Sequence, residues 1–397
     1  MAVVEERAGY KKTKLGWIPE LWGVEEIGKY ANIQTGNKDT KDKEENGKFP
    51  FFVRSQKVAR INTFSFNGEA VLTSGDGVGV GKDYHYIQGK FDYHQRVYAL
   101  TDFDEDLYGK YFYYYFSCFF YRRVYRLSAK NSVDSVRMEM IQKMNLPIPP
   151  IQEQKAIANC LSTWDTAIEK QTQLIQAKQT QKKALMQQLL TGKKRLPGFI
   201  EEWEEYKFNE IVERVTRKNK ELDDTVVTIS AQRGFVLQED FFNKRVASKT
   251  LSNYTLVHKG EFCYNKSYSK GYPMGAFKRL DDFEKAVVTT LYICFKLKKN
   301  VNSDFMNQYF NGGRMIKGLM RIAQEGGRAH GLLNISLPDF FNLKVMIPEK
   351  KEQTAIANIL NTADKEIELL QAQLTQLQQQ KKGLMQQLLT GKKRLKY

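Results

Sequence analysis

The residues from Ile148 to Leu196 return from Ile347 to Leu395 without an inserted or lost residue: Gln154 and Gln353, like Thr191 and Thr390, stand 199 residues apart. In the second copy Ile356, Leu360, Ala363, Ile367, Leu370, Leu374, Leu377, Leu384 and Leu388 recur by alternating steps of four and three, with Lys381 filling the one gap. That is the spacing of a coiled-coil seam. The first copy keeps the register through Ile157, Leu161, Trp164, Ile168, Ile175, Leu185 and Leu189, with Gln171, Lys178 and Lys182 making its middle more polar. Each seam begins just after proline (Pro149-Pro150, Pro348) and stops at Thr191-Gly192 or Thr390-Gly391, where glycine suits the left-handed cap. Lys193, Lys194 and Arg195 then favour the negative end of the helix dipole. The roughly 38 residues between these signals predict a rod of about 57 Å.

A lone amphipathic repeat would be a packing or dimerisation element. Two homologous copies separated by about 150 residues of globular sequence can instead pair with each other, antiparallel, and give one chain an approximate twofold axis. Such an axis suits a target built as two half-sites. The expected fold is α+β: two α/β domains at residues 1–147 and 197–346, separated by two long antiparallel coiled-coil helices at 148–196 and 347–397, pseudo-twofold symmetric.

The chain's 397 residues suffice for two or three domains with real cores. Lys and Arg number 62 against 45 Asp and Glu, a net charge of +17 spread along the chain, which points to a polyanionic partner met by folded basic surfaces. A ribosomal or membrane-surface role fits that charge equally well. Cys118, Cys160, Cys263 and Cys294 form no C-x-x-C pair, so neither a disulfide framework nor a zinc site is expected, and a reducing cytoplasm is the simplest setting. The charged stretch from Met1 to Trp17 has no apolar segment of a secretion signal. The aromatic run from Tyr111 to Tyr121 is shorter than the about 20 apolar residues a membrane span needs, so it is expected as a buried helix.

Along the first globule, Lys14 to Trp22 reads as a capped opening segment, echoed by Arg195 to Trp203, and Val24 to Ile27 as a short helix. Strands are expected at Phe49–Arg54, Glu69–Thr73 and Phe91–Leu100, from their β-branched and aromatic content. In the second globule they are expected at Val226–Ile229, Glu261–Tyr264 and Ala286–Phe295, with helices around Phe305–Phe310 and Met315–Ile322. The glycine stretch from Gly75 to Lys82 fits neither a P-loop nor a dinucleotide fingerprint. Its alternating glycines predict a tight turn or bulge in which backbone approaches a neighbour closely, either the protein's own core or a nucleic-acid phosphate. The duplication extends into the globules: Val136, Ile141 and Leu146 to Pro149 match Ile335, Phe340 and Val345 to Pro348, whereas the interiors have diverged.

Together these features resemble the specificity subunit of a type I restriction-modification system. The resemblance covers essentially the whole chain as two target-recognition domains alternating with two helical repeats. It is carried by Leu189 to Leu196, by the helix starts Pro149 to Gln154 and Pro348 to Gln353, and by Gly77 to Gly81. It implies that each globule reads one half of a split, asymmetric sequence in double-stranded DNA and that the helices set the unread spacer. It also implies two modification subunits that methylate adenine at N6, and restriction subunits that cleave. No cofactor is then expected on this chain: S-adenosylmethionine belongs to the modification subunits, and Mg and ATP to the restriction subunits.

Catalysis by the chain itself is not expected, since the one Pro-Pro, Pro149-Pro150, is followed by Ile151 rather than the Tyr or Phe of an amino-methyltransferase motif. The competing reading is a structural coiled-coil adaptor, whose DNA affinity would not depend on sequence. Candidate DNA contacts are polar residues of the globules: Arg54, Ser55, Lys57, Lys82, Arg122, Arg123 and Lys130 in the first, and Arg233, Lys266, Ser267, Tyr268, Lys270, Arg328 and His330 in the second. Arginine suits guanine edges and lysine suits phosphate.

Overall fold

The structure, a computed structural model, describes residues 8–128, 135–243, 250–323, 331 and 333–395. The chain divides into two units, Met1–Thr172 with Ala372–Tyr397, and Gln173–Gln371. The division falls inside the two long helices, Ile151–Leu189 and Lys350–Leu388, so each unit holds one globule and a stretch of each helix.

In the first unit a six-stranded sheet runs in the order Asn32–Thr35, Val97–Thr101, Phe66–Ser74, Tyr84–Tyr93, Phe49–Phe52, Ala59–Ile61. Only the pair Phe49–Phe52 and Tyr84–Tyr93 is parallel. Side chains alternate across it: Val71 and Leu100 pack with Phe112, Phe116 and Phe120 of the aromatic helix Gly109–Leu127, while Ala70, Leu72 and Ala99 join Phe52 and Phe91 in a separate cluster. Burial of the aromatic run on this sheet matches the expectation.

The structure departs from the local sequence pattern at three places here. Phe91–Leu100 is not one strand, because Val97 N–H donates to the His94 carbonyl at 2.9 Å and the turn sends Val97–Thr101 back along Phe66–Ser74. Val24–Ile27 is not a helix: Gly23–Glu26 pairs antiparallel with the distant Asn145–Ile148, leaving a single 3₁₀ turn at Ile27–Lys29. The opening segment is a hairpin, Tyr10–Thr13 with Gly16–Pro19, turning through Lys14 and Leu15 into Gly16 at φ +94.

The second unit carries a four-stranded antiparallel sheet, Val212–Arg214, Ile293–Leu297, Phe262–Asn265, Ala276–Arg279. Its strands, numbered along the chain, lie first, fourth, second, third, as do Asn32–Thr35, Val97–Thr101, Phe66–Ser74 and Tyr84–Tyr93 in the first unit. One face packs Phe262 and Phe295, 5.7 Å apart, and Phe277 and Phe310, 4.5 Å apart, against Phe208 and Phe340. The expected strand Ala286–Phe295 is again two: Lys285–Val288 pairs with Thr255–His258, and Ile293–Leu297 belongs to the main sheet.

Within each unit the helix stretches run antiparallel. In the first, Lys381 pairs with Asp165, and Gln171 Nε2 donates to Gln373 Oε1 at 3.1 Å. In the second, Lys182 pairs with Asp364 and Lys178 with Glu366, at 2.5 and 2.6 Å. The lysines that interrupt the seams therefore make cross-helix ion pairs and Gln171 a cross-helix amide hydrogen bond, contacts that suit this direction and register. Ile157, Leu161 and Leu388 join the first core, and Leu189, Ile356 and Leu360 the second. Ile175 is buried, and Trp164, Ile168, Leu185, Ile367, Leu370, Leu374, Leu377 and Leu384 are half-buried.

The Glu-Gln pair at each helix start has a duplicated role. Buried Glu153 accepts from Trp22 Nε1 at 3.0 Å and from Arg394 Nη2 at 2.7 Å. Buried Glu352 accepts from Trp203 Nε1 at 3.3 Å and from Arg195 Nη2 at 2.8 Å. Gln154 Oε1 accepts from Tyr108 N–H, and Gln353 Oε1 from Asn302 N–H, which are the capping residues of the helices Gly109–Leu127 and Ser303–Asn311. Each long helix is thus tied to its own globule and to the far end of its partner.

Candidate nucleic-acid interface

At one end of the first globule's sheet, three loops converge. The loop after Phe49–Phe52 brings Arg54, Ser55 and Lys57; the glycine loop after Phe66–Ser74 brings Asp76 to Lys82; the turn before Val97–Thr101 brings His94 to Arg96. They are joined by Gly75 N–H to the Arg96 carbonyl at 2.7 Å, His94 N–H to the Phe52 carbonyl at 2.9 Å, Gln56 Nε2 to the Lys82 carbonyl at 3.0 Å, and the His85 ring to the Ser55 carbonyl at 3.0 Å.

The glycines are tight by necessity. A Cβ on Gly75 would lie 2.9 Å from the Arg96 carbonyl oxygen, and one on Gly79 would collide with Asp83, while Gly77 and Gly81 hold φ of +79 and +63. This loop packs on protein and still presents Val78 almost fully to solvent. Val80 of this loop is buried in the core, so the protein's own packing is one of the two neighbours the sequence leaves open.

Lys57 and Lys82 are exposed cations at this end. Arg54 donates through Nη1 to Asp76 Oδ1 at 2.8 Å, and Arg96 Nε lies 3.7 Å from Asp76 Oδ2. Below them, buried His94 accepts the Arg96 N–H through Nδ1 at 2.9 Å. Its burial, and then the Arg54 guanidinium, hold the imidazole's pKa below its ordinary value. Asp76, His94 and Arg96 were not among the sequence candidates. Their signal was their position: each lies in a polar interruption between two strands.

The other first-globule candidates do not join this cluster. Arg122 and Arg123 line a depression with Lys14, Tyr125 and Arg126. Arg123 donates from Nε and Nη2 to the carbonyls of Met140 and Lys143, both at 2.8 Å, so it pins the short helix Met138–Gln142. Lys130 lies outside the described residues, as do Arg328 and His330 in the second globule.

In the second globule the loop from Lys266 to Gly275 follows Phe262–Asn265 as the glycine loop follows Phe66–Ser74, and it too carries left-handed glycines, Gly271 and Gly275. It brings together Lys266, Ser267, exposed Tyr268 and Lys270. Gln232 Nε2 donates to the Lys270 carbonyl at 3.4 Å, which sets the turn bearing Arg233 beside it. Tyr268 N–H donates to the Gly331 carbonyl at 2.8 Å, and Leu333 N–H to the Lys266 carbonyl at 3.1 Å. Arg233 lies over the Phe241 ring at 5.6 Å, and Arg214, Lys218 and Lys266 line an adjoining depression. The two globules therefore end in equivalent loops with unlike side chains.

A family model described as the type I restriction modification DNA specificity domain matches this chain twice, over residues 19–179 and 200–379. The type I restriction enzyme EcoDI specificity subunit of Escherichia coli is 27% identical over 154 residues, 39% of this chain and 33% of that protein. The MjaVIII specificity subunit of Methanocaldococcus jannaschii is 27% identical over 293 residues, 66% of this chain and 65% of that protein. The putative MjaX specificity subunit of the same organism is 25% identical over 98% of this chain and 97% of its own length. The chain thus spans a third of the first relative, just under two thirds of the second and nearly all of the third. Among solved structures, the type I restriction-modification S subunit from M. genitalium superposes with a TM-score of 0.58 at 17% identity, over 92% of this chain and 96% of that one. A chain of a type I system described for its complex assembly and conformational transition gives 0.56 at 12% identity, over 94% and 99%. At these identities the structural likeness concerns the fold.

Proposed function

This chain belongs to the family of type I restriction-modification DNA specificity proteins, and on that premise we propose that each globule reads one half of a split, asymmetric DNA sequence while the paired helices set the spacer. Membership makes it a recognition component rather than a catalyst. The observation that carries the finer reading is the recurrence of one strand order in both units, each ending in a loop cluster of different polar side chains. Equivalent frames with unlike contact residues suit two unlike half-sites.

In this reading the chain directs two modification subunits, which use S-adenosylmethionine to methylate adenine at N6, and restriction subunits, which use Mg and ATP to cleave. Among the described residues no helix is long and apolar enough to cross a membrane. The test is a genome-wide map of N6-methyladenine in cells carrying this chain with its modification subunit, against cells lacking only this chain. A split motif that depends on the chain is expected. Absence of any motif, with the modification subunit bound and active, would overturn the reading in favour of an adaptor.

A further inference from the structure

Asp76 is the meeting point of two arginines from two different loops. Its Oδ1 accepts from Arg54 at 2.8 Å and its Oδ2 lies 3.7 Å from Arg96 Nε. The Asp76 side chain is 27% exposed and the Arg54 and Arg96 side chains are 42% and 66% exposed, so both arginines stay open to solvent while they meet the carboxylate. The Arg96 main chain is fixed on both sides, its carbonyl by Gly75 N–H and its N–H by buried His94.

This arrangement has a cost that a phosphate anchor would not need. A carboxylate among basic groups weakens attraction to DNA, and Lys57 and Lys82 already supply exposed cations on the same loops. What the carboxylate adds is direction. A guanidinium carries five N–H donors in a rigid fork, so a contact with Asp76 leaves donors free to meet a second pair of acceptors. Holding the arginine before DNA arrives removes part of the rotamer entropy that binding otherwise consumes. The base edge offering two adjacent acceptors in the major groove is that of guanine, through O6 and N7.

We propose that Arg54 and Arg96 read guanine in the half-site of the first globule, and that Asp76 is their positioning residue. The inference rests on the recognition role proposed above and names part of its target. Because both arginines share one carboxylate, the guanines they read lie within about two base-pair steps of one another, at about 3.4 Å per step. The second globule holds its Arg233 over Phe241 instead.

The experiment maps N6-methyladenine for the wild-type chain and for Arg54→Ala, Arg96→Lys and Asp76→Asn, each assembled with its modification subunit. It then measures binding of the assembled complexes to duplexes carrying single substitutions in the wild-type motif. Arg96→Lys keeps the charge, alters only an exposed side chain and loses the fork; the second half-site, read by the same molecule, reports that each variant is folded. The wild-type motif is expected to contain guanine in one half. Each arginine variant should lose about ten- to hundred-fold of the discrimination against other bases at one guanine, and Asp76→Asn should relax the same positions, with the other half unchanged. A wild-type motif without guanine in either half overturns the inference, as does discrimination unchanged in all three variants or uniform weakening on every duplex. A wild-type chain giving no motif overturns the recognition reading itself, an outcome distinct from these.

Discussion

His94 is buried where it must remain neutral, since its Nδ1 accepts the Arg96 N–H and protonation there would replace an acceptor with a donor. Burial and then Arg54 lower its pKa, with Arg96 adding to them and Asp39 and Asp76 opposing; His85 is lowered by burial, opposed by its contact with the Ser55 carbonyl and by Asp83. The unfolded chain therefore takes up these protons at higher pH than the folded one. Stability is fully present above the ordinary histidine pKa of about 6.5, and falls as pH drops through that value toward the lowered folded-state pKa. Urea midpoints of the full chain at pH 7.5 and 5.5 should fall for wild type and fall less for His94→Asn, which keeps an acceptor but cannot titrate. Equal falls would assign the effect elsewhere. Residue type alone did not separate Arg54 from Arg123. Both are exposed-looking arginines in sequence, yet one meets a carboxylate at a loop end and the other caps two carbonyls.

At the scale of elements, the long helices are held by their ends. Arg195→Ala leaves the Glu352 carboxylate, with 1% of its side chain exposed, with the Trp203 N–H as its remaining side-chain donor among the described residues, and should lower the urea midpoint of the second unit. Glu352→Gln, which removes the charge together with its partner's need, should cost less; the reverse order would show that the ion pair is not what seats the helix. Lengthening tests the proposed ruler. Four residues added to both helices, about 6 Å each, should widen the unread spacer of the methylated motif while both half-sequences stay readable, and an unchanged spacer would refute it. The helices were legible because a seam is a local periodicity, and even its polar gaps, Lys182 and Lys381, mark real positions in the pairing. The strand Gly23–Glu26 was not legible, since its partner Asn145–Ile148 lies far along the chain and four residues show no period of their own.

At the scale of the whole molecule, replacing residues 197–346 with the matching globule of another specificity protein should change one half of the methylated motif and leave the other intact; a change in both halves would contradict independent reading. The sequence by itself determined the duplication, the two helices and their ends, the basic charge and the α+β class, because these are written in repeats, periods and composition that need no partner to be seen. Only the tertiary structure decided that the diverged globules share one strand order, that Lys266 to Gly275 is the counterpart of the glycine loop, and that Arg54 and Arg96 converge on Asp76. Strand pairing and loop convergence join residues far apart in sequence through backbone hydrogen bonds that every residue but proline can both donate and accept, so no local pattern records them.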